Sequence, residues 1–243
     1  MKQIPITALF ITAFFILVLP HSAAAQRLRD APLKDTSPGY MDTPYYNKMV
    51  RDALKDRSPY FDFMQFRILY ARTRQYDPGG ERVLKTVNDL AYLALHEEDP
   101  QRAETALFAY QTEVSNHLAN IDVVLLALSL AREDKRFGRV DFFEWMREGL
   151  VKTVLISGDG YTLNGAYDVI TLSEELLLFS RLGLKRIDTK AAHEGIIYYN
   201  MHTAEDLRTG EKRTVFVNTS IPMRHLEEAR EKEKSFTLDL RKR

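Results

Sequence analysis

The sequence predicts an α+β fold: an N-terminal antiparallel helical bundle or helical-repeat-like array, followed by a small antiparallel β-sheet with flanking helices. Three observations point to it. Between residues 42 and 156, apolar side chains recur at helical spacing, interrupted by short breaks of Pro, Gly and Asp. From residue 157 the segments become short and rich in β-branched and aromatic residues. With 45% hydrophobic and 28% charged residues, the chain has both a core to bury and a surface to solvate it.

The first 25 residues stand apart from that fold. Lys2 precedes the apolar run ITALFITAFFILVL, which Pro20 ends, and Ala23 and Ala25 are the small residues that a signal peptidase requires. As a helix the run would reach roughly 21 Å at ~1.5 Å per residue. That is short of the ~30 Å hydrocarbon core and favours a cleaved signal over an anchor. Cleavage is expected between Ala25 and Gln26, leaving a periplasmic or secreted bacterial protein with no transmembrane segment. Residues 26–41, with Pro32, Pro38 and Gly39, read as a flexible leader.

The helical region, residues 42–156, is expected to open at Thr43-Pro44, with Thr as N-cap and Pro at the first position. Ser58-Pro59 reads as a restart, followed by an aromatic helical segment over residues 61–70 that encloses Arg67. Asp77-Pro78-Gly79-Gly80 breaks the chain. Val83, Leu84, Val87, Leu90, Ala91, Ala94 and Leu95 then give a clean helical period. Asp99-Pro100 opens the next helix, carrying Ala103, Ala106, Leu107, Tyr110 and Val114 on its apolar face, and Asn120 caps another, whose run IDVVLLALSLA is apolar nearly all round and so belongs at the centre. Gly138 separates it from a last helix carrying Phe143, Met146, Leu150 and Val154. The short connections predict that sequential helices pack as αα-hairpins.

The α+β region, residues 157–234, is expected to share one core with the helices. AYDVI (166–170) reads as a short strand. Thr171 and Glu174 read as a capping box for LSEELLLFSRL, with Gly183 as the C-cap. GIIYYNM (195–201) and TVFVNTS (214–220) form an expected antiparallel hairpin turning at Thr209-Gly210. From Pro222 a charged helix is expected with a solvated face, its i,i+4 pairs Arg224–Glu228 and Glu228–Lys232 worth only ~0.2–0.5 kcal/mol each. Residues 235–243 read as a polar tail.

Composition removes several chemistries. Without cysteine there are no disulfides, no thiolate metal sites and no cysteine nucleophile. Thirty-four basic residues balance 34 acidic ones, which argues against nucleic-acid binding, since that needs a basic face to release counterions. The same balance, with no basic amphipathic helix, argues against membrane-surface association. His96, His117, His193, His202 and His225 fall in no HExxH or close His-x-His spacing, so neither a metal nor another cofactor is expected.

The loop SGDGYTLNGAYD (157–168) concentrates the remaining candidates, Asp159, Asn164 and Asp168. A phosphate loop fails because Ala166-Tyr167 follow Gly165 where Lys-Ser/Thr is needed. A calcium loop fails because Gly160-Tyr161 follow Asp159 where alternating oxygen ligands are needed. A nucleophile elbow fails because Ser157 precedes the first glycine. Turn chemistry remains the leading reading, and an acid, base or ligand role for Asp159 or Asp168 stays open. Arg67, set among aromatics, needs a buried partner, and Asp159 and Asp62 are the expected choices.

FRILYART, LISGDGYTLNGAYDVITLSEE and VFVNTS together resemble an exported bacterial family known as domain of unknown function 4919, over roughly residues 42–220. Gly158-Asp159-Gly160, Ala166-Tyr167 and Val169-Ile170 carry the resemblance most specifically. It implies export and one coherent domain, and no particular reaction. The expected function is a non-enzymatic binding or interaction protein of the bacterial envelope, its partner another envelope protein or a cell-envelope component. The alternative is a hydrolase-like enzyme using carboxylates near Asp159.

Overall fold

The computed structural model describes residues 42–240, with side chains for 43–232. The signal segment, the Ala25–Gln26 junction and the leader lie outside the described residues. The fold is α+β, as expected, and among the described residues no helix is long and apolar enough to cross a membrane.

Six helices form the first part: α1 (Asp42–Lys55), α2 (Phe63–Ala71), α3 (Glu81–His96), α4 (Pro100–Asn116), α5 (Ile121–Glu133) and α6 (Val140–Leu155), with a 3₁₀ turn at Lys135–Phe137 between the last two. Capping residues set most of the boundaries. Asp99 Oδ1 accepts the N–H groups of Gln101 and Arg102, with Pro100 at the first helical position. Asn120 Oδ1 accepts from Asp122 and Val123. Two expected starts move. The first helix begins at Asp42, one residue before Thr43. The second begins only at Phe63, because Asp62 Oδ1, and not Ser58, takes an orphan N–H, that of Gln65 at 2.9 Å. The helices pack chiefly in sequential pairs, α1 with α2, α3 with α4 and α5 with α6. Helix α5 is central, burying Ile121, Val123, Val124, Ala127, Leu128 and Ala131.

The second part holds β1 (Tyr167–Asp168), α7 (Ser173–Leu182), β2 (Leu184–Glu194), β3 (Ile197–Asp206), β4 (Lys212–Asn218) and α8 (Ser220–Leu240). The sheet order is β1-β4-β3-β2. Strands β2, β3 and β4 pair antiparallel, while β1 runs parallel to β4 through Tyr167↔Val217 and Asp168↔Asn218. The sheet is therefore mixed, not purely antiparallel. The parallel pair forms because the chain leaves β1 through α7 and two more strands before β4 returns beside it. Strand β2 has no counterpart in the sequence reading. LKRIDTKAAHE is an edge strand exposed along nearly its whole length, so it lacks the apolar alternation that marks a half-buried strand.

The capping box also forms differently. Glu174 Oε2 accepts the N–H of Ile170 at 2.7 Å, outside the helix, and α7 starts at Ser173 with no side-chain cap. Gly183 closes α7 at φ +66° as expected. Helix α8 starts two residues before the expected Pro222 and runs to Leu240, through much of the stretch read as a tail. Its first turns dock on the fold. Arg224 is half-buried and donates to Ser220 O at 3.1 Å, Tyr198 Oη donates to Glu227 Oε2 at 2.6 Å, and His225 stands edge-on to Tyr76 at 4.7 Å. Nor is the core single. One apolar cluster fills the helical part and takes in Ile170. A second joins Val154, Leu178 and Phe179 to Ala204, Val215 and Val217 of the sheet, and Leu155 packs against both.

Candidate functional site

The loop after α6 is built by backbone contacts. Asp159 N and Gly160 N both donate to Gly165 O, at 2.8 and 2.7 Å, and Phe216 N donates to Gly160 O at 2.9 Å, tying the loop to β4. Asp159 is exposed, and its Oδ1 accepts the N–H of Tyr161 at 2.9 Å, an Asx turn. Asn164 is exposed as well. Ser157, considered in the sequence only as a failed nucleophile, is buried. Its Oγ donates to Val154 O at 2.7 Å and accepts from Asp168 N at 2.8 Å, so it joins the end of α6 to β1. Gly158 is required by close approach, since a Cβ there would lie 2.3 Å from Gly165 O and 2.4 Å from Ala166 O.

Of the four sequence candidates, Arg67 and Asp168 come together and Asp159 and Asn164 stay apart from them. Arg67 is buried and forks onto Glu174, with Nη2–Oε2 2.6 Å and Nε–Oε1 3.3 Å, while Nη2 also donates to Asp168 O at 3.2 Å. Each side chain of the pair is 1% exposed. Its partner is thus Glu174, not Asp159 or Asp62, because the capping residue turns inward where α7 meets α2. Asp168 Oδ1 accepts from Asn218 Nδ2 at 2.8 Å, and Tyr76 Oη donates to Ile170 O. These groups stitch the helical part to the sheet.

A second polar chain crosses from α7 into the sheet. Asn200 Nδ2 donates to Glu175 Oε1 at 2.7 Å, and the buried His202 holds Nδ1 2.9 Å from Thr189 Oγ1. His202 Nε2 lies 3.0 Å from Glu175 Oε2 but out of line for a hydrogen bond. Neither cavity described below is lined by these residues.

The described residues line two notable cavities. One is an open cleft of about 530 Å³ bordered by Thr43, Pro44, Asn47, Arg51, Arg74 and Gln75. The other, of about 290 Å³, is an apolar groove in the helical part, walled by Tyr110 and Val114 of α4 and by Phe137, Phe142 and Phe143, with Leu54 of α1 exposed at its edge. The 3₁₀ turn makes this groove. Gly138 sits at φ +135° with Phe143 where its Cβ would be, 2.6 Å away, so only glycine lets the chain bend back around that ring. The polar groups of the groove are mostly engaged: Gln111 Nε2 donates to Arg136 O at 3.1 Å and Ser115 Oγ to Gln111 O at 2.7 Å. The Tyr110 hydroxyl lies behind the wall, with no surface open to the groove. Tyr110 is fully buried, and its hydroxyl has no hydrogen-bond partner among the described residues. Burial also pushes its pKa up, so it stays a neutral donor. Sequence reasoning placed Tyr110 on the apolar face of α4 and nothing more, since an orphaned hydroxyl leaves no trace in spacing. No family model, curated protein or solved structure matches the chain.

Proposed function

We propose that this chain is an exported, non-enzymatic binding protein of the bacterial envelope, matured between Ala25 and Gln26. It takes an envelope protein or envelope component through its helical part. The observation that carries the reading is the groove in the helical part, a cavity of about 290 Å³ walled by Phe137, Phe142 and Phe143 and edged by the exposed Leu54. The acidic loop supports it from the other side. Asp159 Oδ1 accepts a backbone N–H within its own turn, as a structural aspartate does, which supports the binding reading over a hydrolase-like role. The resemblance to domain of unknown function 4919 agrees with export.

Photo-crosslinking in the native envelope tests this. A photoreactive side chain at Leu54, at the edge of the groove, is expected to capture a discrete adduct, and the same group at the exposed Tyr60 is not. Equal labelling from both positions, or a hydrolytic turnover abolished by Asp159→Asn, overturns it. N-terminal sequencing of the mature protein is expected to begin at Gln26.

A further inference from the structure

Going beyond that reading, we infer that the free edge of strand β2 pairs with the same strand of a second copy of this chain, antiparallel about a two-fold axis, so that two four-stranded sheets join into one. Strand β2 stands last in the sheet and is paired on one side only, by β3. All of its 11 residues except Leu184 and Ala192 are exposed. The outer N–H and C=O groups of such a strand are a template for another strand. Edge strands are ordinarily blunted by lysine, and β2 carries Lys185 and Lys190. A lysine deters only a strand that leaves it unpaired, and the order of charges along β2 supplies the pair.

A two-fold axis normal to the sheet keeps each face on its own side. A residue can then stand opposite itself, or opposite one an even number of positions away. Thr189 is the midpoint of Leu184–Glu194, so pairing centred on it uses the whole strand. That register sets Asp188 opposite Lys190 of the second copy, twice by symmetry, with the two Thr189 side chains between them. Opposite charges directly across a ladder are stabilising, and like charges there are destabilising. A ladder centred on Asp188 would oppose two aspartates, and one centred on Lys190 two lysines. Charge therefore selects the register that is also the longest. Asp188 and Lys190 are both exposed, and neither has an ion-pair partner among the described residues. Ile187, the extra residue where the β2–β3 register shifts, lies beyond these central pairs. It is 47% exposed in the single chain and comes beside Ala191 of the second copy, which covers it.

The test is sedimentation velocity of the mature protein over a concentration series. The parent is expected to associate reversibly to a dimer. Asp188→Lys and Lys190→Asp each turn both charge pairs into like-charge pairs, and each should weaken association about tenfold or more. Combining the two exchanges the charges and should restore the dimer, a recovery that damage to the fold would not give. Since the chain has no cysteine, a single thiol reports the register. Thr189→Cys is expected to form a disulfide-linked dimer on mild oxidation, because directly opposed Cβ atoms stand about 4.5–5.5 Å apart, and Lys185→Cys is not. A parent that sediments as a monomer throughout, single reversals that associate as well as the parent, or equal crosslinking from both thiols overturns the inference. A monomer whose β2 edge captures an extended segment of some other protein overturns it as well. Capture at Leu54 does not depend on this edge, so the binding role of the groove stands or falls separately.

Discussion

At the scale of single residues, the most consequential side chain is Arg67. It sits on a short helix whose neighbouring acid, Asp62, caps the helix instead, and it meets Glu174 from 107 positions away. Burial of both charges costs several kcal/mol each, and their mutual attraction recovers that only because the fork is bidentate and the spare oxygen lone pair of Glu174 takes the Ile170 N–H. Removing one partner leaves the other charged and alone in the interior. Arg67→Met is therefore expected to lower stability by about 3–5 kcal/mol, whereas Arg67→Met combined with Glu174→Met should recover much of the loss. Urea unfolding of the two single variants and the double variant measures this coupling directly. A double variant no more stable than Arg67→Met would mean that the pair is not the unit that matters. The sequence showed that Arg67 needed an acid. It could not show which one, since Glu174 already had a local explanation as a capping residue.

At the scale of elements, the loop between α6 and β1 turns the chain from helices into sheet, and its glycines are there because backbone passes against backbone. A methyl at Gly158 would strike the carbonyl oxygens of Gly165 and Ala166, the first of which holds the turn, and neither is the end of a flexible side chain. Gly158→Ala is expected to destabilise the protein by about 1–3 kcal/mol, read as a lower denaturant midpoint with the slope unchanged. An alanine variant as stable as the parent would show that the loop relaxes freely. Elements with one buried face were legible: α3, α4, α5 and α6 follow their apolar period, and β3 and β4 their β-branched content. Strand β2 was not, because its eleven residues are nearly all exposed and its register is set by β3 rather than by burial. The groove escaped for a related reason. Its walls come from α1, α4, α6 and the 3₁₀ turn, and each wall residue alone reads as ordinary core.

At the scale of the whole molecule, two apolar clusters are joined by a polar seam, and further titratable groups lie buried in the helical part and where the last helix docks on it. His117 is buried, with Tyr70 Oη 2.8 Å from Nδ1 and Glu113 Oε1 3.3 Å from Nε2. Burial holds its pKa below the usual imidazole value, against the pull of Glu113. His225, half-buried against Tyr76, is lowered by the same cause. A histidine whose folded pKa is depressed binds its proton more readily when unfolded. Stability from these groups is thus complete above about pH 6.5 and is lost as pH falls from there through the folded pKa. The buried tyrosines act at the opposite end. Burial raises Tyr46, Tyr70 and Tyr76, so the unfolded chain ionises first and stability declines as pH climbs past about 10. The urea midpoint at constant ionic strength is expected to be highest near pH 8 and lower at both pH 5 and pH 10.5. His225→Gln, which removes one titrating ring where the last helix docks while keeping a side chain of similar length, should shrink the difference between pH 8 and pH 5. Carboxylate ion pairs on the surface would also lose stability in acid, but they are screened by salt and His225→Gln does not touch them. A midpoint as high at pH 5 as at pH 8, or an acid limb unchanged by His225→Gln, would show that the fold stays intact when these histidines take up protons.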